Sequence, residues 1–210
     1  MGLVATMTAI LLGLLISSSK GAFDTARTEV MQMAAKVALL DRVLKLYGPE
    51  AMDARHALRD ATADGVRRTW PEGRSHPARL DPNEQTGDAV YAAISYLAPR
   101  DEAQRALKTE ATTLMVQLAE VRALVQAQAV SSVSKPLLIA LAIWLVVIFF
   151  GFSLLAPANA TNTLALVAGA FSVACAVLII LELDYPFAGI IRIPSDPMIN
   201  ALAHLAKDTP

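Results

Sequence analysis

PLLIALAIWLVVIFFGFSLLA, residues 136–156, contains no charged side chain, and neither does PANATNTLALVAGAFSVACAVLIIL, residues 157–181. An α-helix rises about 1.5 Å per residue, so about 20 apolar residues cross a hydrocarbon core of about 30 Å. Both runs are long enough. Lipid offers no partner to a backbone N–H or C=O, so each run is predicted to be a helix. The turn-forming stretch Pro157–Asn162 between them makes a hairpin of two spans, at 136–156 and 159–183.

Outward toward the N-terminus, GLVATMTAILLGLLISSS (residues 2–19) is a third uncharged run. A secretory signal would carry basic residues before such a run and a small-x-small cleavage site after it. Neither is there, and the sequence passes from Ser19 straight into a helical pattern. Residues 1–19 are therefore expected to form a first span.

The composition agrees. The chain is 55% hydrophobic and 18% charged, where soluble domains have roughly 45–50% and 25%. Of the 18 Lys and Arg, 16 lie between Lys20 and Lys135, and so do 15 of the 19 acids. A charged middle with nearly uncharged ends excludes a single soluble globule. The net charge of −1 gives no basic field for nucleic acid, which is not expected as a partner. The single cysteine, Cys175, can form neither an internal disulfide nor a thiolate cluster.

Lys and Arg also set the orientation. The 157–162 loop has none, whereas Lys20, Arg27 and Lys36 follow the first span, Lys135 opens the second and Arg192 follows the third. The excess of positive charge on cytoplasmic loops then places 20–135 and the 184–210 tail in the cytoplasm. With three spans the N-terminus lies outside.

Two seams fill the cytoplasmic part. Phe23, Ala26, Val30, Met33, Val37, Leu40, Leu44 and Tyr47 recur at alternating spacings of three and four, a heptad pattern, and Leu107, Ala111, Leu114, Leu118, Val121 and Val125 do likewise. These seams fit either an antiparallel stalk or contact with another subunit. No Gly or Pro falls between Asp101 and Lys135, so the second helix is expected to continue into the membrane. The fold is thus all-α, three transmembrane helices with a cytoplasmic helical bundle continuous with them.

Between the seams, Tyr47, Gly48, Pro49 and Glu50 read as a helix corner, because Gly suits the end of a helix and Pro cannot continue it. A helix over Pro49–Thr69 follows, stopped by Trp70-Pro71. On it Arg55, Arg59, Arg67 and Arg68 are interspersed with Asp53, Asp60 and Asp64, the pattern of a solvated face with i,i+4 pairs. Residues 72–83 read as a loop, Ala89–Leu97 as a short amphipathic helix, and Ser195 as the N-cap of a helix reaching Leu205.

No motif of an enzyme is present: no His-Glu-x-x-His, phosphate loop, Gly-rich nucleotide turn or nucleophile elbow. His56, His76 and His204 are scattered, and no cofactor or metal is expected. Glu182 and Asp184, at the end of the last span, form the candidate functional pair. Carboxylates there attract cations, relay protons or bind a basic partner. Against a helix C-terminal dipole they also demand a partner, and a structural pairing with Arg192 or a stalk cation is the stronger expectation. Pro186, Phe187 and Gly189 then break the helix, forming either a gate with Phe187 as its plug or a turn that anchors an aromatic at the interface. The first span is the most polar, and Thr6, Thr8, Gly13 and Ser17 are its candidate pore-lining residues.

Three stretches together carry a family resemblance: LGLLISSSKGAFDTARTEV (12–30), LYGPEAMDARHALRD (46–60) followed by WPEG, and LELDYPFAGIIRIPSDPM (181–198). They resemble a bacterial membrane family, the bestrophin-like proteins, and the LELDxPFxG stretch is the most specific part. In that family a segment like Gly2–Ser17 is typically the second of four spans, which implies a span upstream in a four-span parent. The resemblance implies a multi-pass protein of the bacterial inner membrane, distantly like pentameric anion channels. It makes an oligomeric channel or transport-related protein the first expectation, with the lipid bilayer, further copies of the chain and an ion as partners. The alternative is a non-conducting scaffold or sensor whose helical domain binds a cytoplasmic protein.

Overall fold

The structure, a computed structural model, describes residues 2–71, 84–128, 135–155, 157, 159–187 and 190–207. Among these residues all regular structure is helical. The α-helices are α1 (Gly2–Tyr47), α2 (Met52–Thr69), α3 (Glu84–Ser95), α4 (Glu102–Gln128), α5 (Lys135–Leu155), α6 (Ala160–Leu183) and α7 (Asp196–Lys207). Three of them, α1, α5 and α6, contain segments long and apolar enough to cross a membrane. The predicted 72–83 loop, the helical join over 129–134, His76 and Gly189 lie outside the described residues.

The chain divides into two compact units. One comprises Met1–Thr25 and Ser131–Arg192. Its helices α5 and α6 pack together, and Gly169 makes the approach close: a Cβ built there would lie 3.7 Å from Phe149 Cε1. The side chains of Val146, Phe150, Leu164 and Phe171 are exposed, as expected of helices whose solvent is lipid. Asn159 caps α6, its side chain accepting a hydrogen bond from the Asn162 N–H at 2.9 Å. Asn side chains satisfy first-turn donors in this way.

The second unit comprises Ala26–Val130 and Ile193–Pro210. Here the α1 seam is the core: Ala26, Val30, Val37, Leu40, Leu44 and Tyr47 are buried. On α4 Ala111, Leu114, Val121 and Val125 are buried as well. Two hydrogen bonds set the pairing of these helices. Lys36 Nζ donates to Gln117 Oε1 at 2.6 Å, and Gln104 Nε2 donates to the Tyr47 carbonyl at 3.0 Å. As the α1 number rises the α4 number falls, so the two run antiparallel. Helix α2 packs against α3 and α7, with Ala54, Leu58, Val90, Ile94, Met198, Ala201 and Leu205 buried.

Two expectations need correction. The helix beginning at Pro49 opens as a 3-10 turn over Pro49–Ala51, and α-helix starts only at Met52. A positive φ at Gly48 re-aims the chain there before α-helical geometry resumes. Arg55 is not on a solvated face. It is 6% exposed and its Nε donates to Asp41 Oδ1 at 2.8 Å, while Nη2 lies 3.3 Å from Oδ2. Arg55 lies one helical turn from Ala51 and from Leu58, on the buried stripe of α2, and its charge is met from α1.

Candidate functional site

The polar residues of the first apolar run separate into two groups. Thr6, Gly13 and Ser17 are seven and four residues apart, which at about 3.6 residues per turn puts them on one face, and all three are exposed. An added Cβ at Gly13 would meet nothing within 4 Å. Thr8, two residues from Thr6, faces nearly the opposite way and is 4% exposed. Both threonines donate to the carbonyl one turn back, Thr6 to Gly2 at 2.7 Å and Thr8 to Val4 at 2.8 Å. Ser19 is fully buried, and its hydroxyl has no hydrogen-bond partner among the described residues.

At the far end of α6, Glu182 folds back over the turn that follows it. Its Oε2 accepts from the Ile190 N–H at 2.6 Å and the Ile191 N–H at 3.3 Å. A carboxylate holding two backbone donors in this way clamps a loop. The partner is backbone and not Arg192, which is exposed and without an ion pair among the described residues. Asp184 is 7% exposed and Pro186 is buried with it. Phe187 is also buried, 6% exposed. The two carboxylates thus have different surroundings: Glu182 is half-buried on the turn and Asp184 is enclosed.

The corner residues converge on the link between α3 and α4. Gly48 has φ 119° and ψ −173°, and the Ala51 N–H bonds back to its carbonyl at 3.1 Å. Glu50 Oε1 pairs with Arg100 Nη1 at 2.8 Å. Tyr47 is 3% exposed, and its hydroxyl has no hydrogen-bond partner among the described residues. Burial raises the Tyr47 hydroxyl above its ordinary range, and the Glu50 carboxylate pushes in the same direction. Such a group stays protonated at neutral pH. These contacts brace the corner. They assemble no catalytic pair.

Sequence reasoning missed the Asp41–Arg55 pair, although its signal was present: Asp41 adjoins Leu40 on the α1 seam and Arg55 lies on the stripe of Leu58. It also missed the role of Trp70, whose indole Nε1 donates to the Ile193 carbonyl at 2.9 Å and ties the end of α2 to the segment before α7. No local pattern encodes a bond across so long a separation. Among the described residues no three His, Cys, Asp or Glu side chains converge to hold a metal ion. His56 and His204 are exposed.

Three apolar helices and an α-helical unit built on the continuation of the first define an all-helical protein with membrane-span candidates. The Bestrophin-like domain matches residues 1–198, and the chain belongs to that family. No curated protein matches it. The fold is similar to that of a bacterial bestrophin homologue from Klebsiella pneumoniae, in two crystal structures of single-substitution variants. Each has a TM-score of 0.78 and 17% sequence identity, covering 99% of this chain and 85% of the other.

Proposed function

We propose that the chain is one subunit of a homo-oligomeric ion channel or transport-related protein of the bacterial inner membrane. Membership of the Bestrophin-like family supports this reading. The observation that carries it is the exposed face of Thr6, Gly13 and Ser17 on the first apolar helix. Polar and small side chains on an exposed face of a span either pack against another helix or line a water-filled path. Three spans enclose no wide path alone, so several copies contribute this face around a common pore. Glu182 belongs to the turn that frames one end of the last span and has a structural part.

In this proposal the unit containing α2, α3 and α4 lies in the cytoplasm, as the Lys and Arg distribution requires. With Cys175 replaced by Ser, a cysteine at Asn159 reacts with an impermeant thiol reagent in intact cells. One at Tyr96, which is 87% exposed, reacts only after permeabilisation. The reverse pattern overturns the orientation.

The deciding experiment is ion flux from the purified protein in liposomes. Flux above that of empty liposomes, altered by thiol modification of Ser17→Cys, is the expected result. Absence of flux from correctly assembled protein overturns conduction and favours the scaffold.

A further inference from the structure

Beyond the membrane segment, α1 and α4 each have one face in the core and one outside, and the outer faces are unusual. On α1, Met31, Leu39 and Leu46 are 44, 46 and 65% exposed, with Ala35 and Ala38 exposed beside them. Every exposed charge between Ala26 and Leu46 is a cation: Arg27, Arg42 and Lys45. The acids of that stretch, Glu29 and Asp41, are buried. On α4, Val116 and Leu124 are 58 and 46% exposed, among the exposed Ala119, Ala123 and Ala127. There the exposed charges between Thr109 and Ala127 are acids alone, Glu110 and Glu120. Arg27, Arg42, Glu110 and Glu120 have no partner among the described residues.

We propose that these two faces dock on each other between copies of the chain, the α1 face of one protomer against the α4 face of the next, around a closed ring. The ring presupposes the oligomeric protein proposed above and specifies its subunit contact. Contiguous exposed apolar stripes mark interaction surfaces, and the charges choose between the possible partners. Pairing α1 with α1 brings cations together and pairing α4 with α4 brings acids together, and like charges juxtaposed are costly. Only the unlike pairing is complementary, and an interface of two different patches is head-to-tail, which gives a ring when the rotation between copies closes.

Register agrees with charge. Rotation about an axis parallel to the α1–α4 pair keeps every residue at its own height. The neighbour's α4 is therefore antiparallel to α1 in the register already set within one chain. Counted from the Lys36–Gln117 bond, Arg42 is level with Ala111; counted from the Tyr47–Gln104 bond, with Thr109. Glu110 lies between them. The same counting puts Glu120 level with Met31–Met33, between one and two turns from Arg27, and Leu39 level with Thr113.

Disulfide trapping tests the contact. In a protein with Cys175 replaced by Ser, the pair Leu39→Cys and Thr113→Cys should, on oxidation in native membranes, link copies into a ladder ending at the ring size. Either cysteine alone should give none. Products that stay monomeric or stop at the dimer, or a dimer from a single-cysteine variant, overturn the proposal. Charge reversal is the second measurement, on exposed positions that leave the core intact. Arg42→Glu and Glu110→Arg each should lower the oligomeric fraction in native mass spectrometry by several-fold, and the double variant should recover it. Failure of the double variant to recover it overturns the proposal as well. Both readouts are independent of conduction. A ladder without flux leaves the interface standing and removes the channel, while flux without a ladder removes the interface alone.

Discussion

Arg55 and Asp41 form an ion pair between α2 and α1 with both side chains under a tenth exposed, Nε and Oδ1 being 2.8 Å apart. Two charges withdrawn from water repay their desolvation only when the geometry is good, and a single survivor is strongly destabilising. Asp41→Asn is therefore expected to cost about 3–5 kcal/mol, the range for breaking a buried pair from one side. The double replacement Asp41→Leu with Arg55→Met should cost much less. Thermal melts of the detergent-solubilised variants check this, and equal losses in the single and double variants would refute it.

Gly48 has a backbone conformation essentially restricted to glycine. Gly48→Ala is expected to lose about 1–3 kcal/mol through that conformation. The new Cβ would also lie 2.9 Å from Glu50 Oε2, displacing the carboxylate that pairs with Arg100. An unchanged melting temperature would contradict the corner geometry.

Val37 is 2% exposed on the α1 seam. Val37→Asp places an unpaired carboxylate among apolar side chains and should cost several kcal/mol. Val37→Ala, which removes two methyl groups, should cost less. Equal stability of the Asp variant and the parent protein would show that this face is not core.

Glu182 holds the N–H groups of Ile190 and Ile191. Glu182→Ala leaves both donors to find water, and because the turn is exposed the loss is at the low end of the roughly 1–3 kcal/mol range for a broken hydrogen bond. Glu182→Gln, which keeps an acceptor oxygen, should lose less. If the protein conducts, neither change should alter its cation-to-anion preference. A selectivity change with an unaltered melting temperature would move Glu182 from the frame of the turn to the permeation path.

The uncharged runs at 2–19, 136–156 and 157–181 determined the all-helical class by themselves, because a backbone in lipid has few ways to satisfy its hydrogen bonds. The α1 and α4 seams were equally legible, since helical periodicity is a local property of the chain. Thr8 is a correction to the pore-lining set of Thr6, Thr8, Gly13 and Ser17: the angle between residues two apart on a helix already sets it on another face, and it is buried. What meets a buried charge or a carboxylate is decided through space. Arg55 shares its charge pattern with Arg59 and Arg67; its place beside Leu58 on the apolar stripe was legible, but only the position of α1 decided that Asp41 meets it. Glu182 is followed in sequence by an arginine ten residues on, yet its ligands are two backbone N–H groups, because the turn after Asp184 brings them closer than any cation. Periodicity fixes which face of a helix is apolar, and tertiary packing alone selects what that face and its few charges touch.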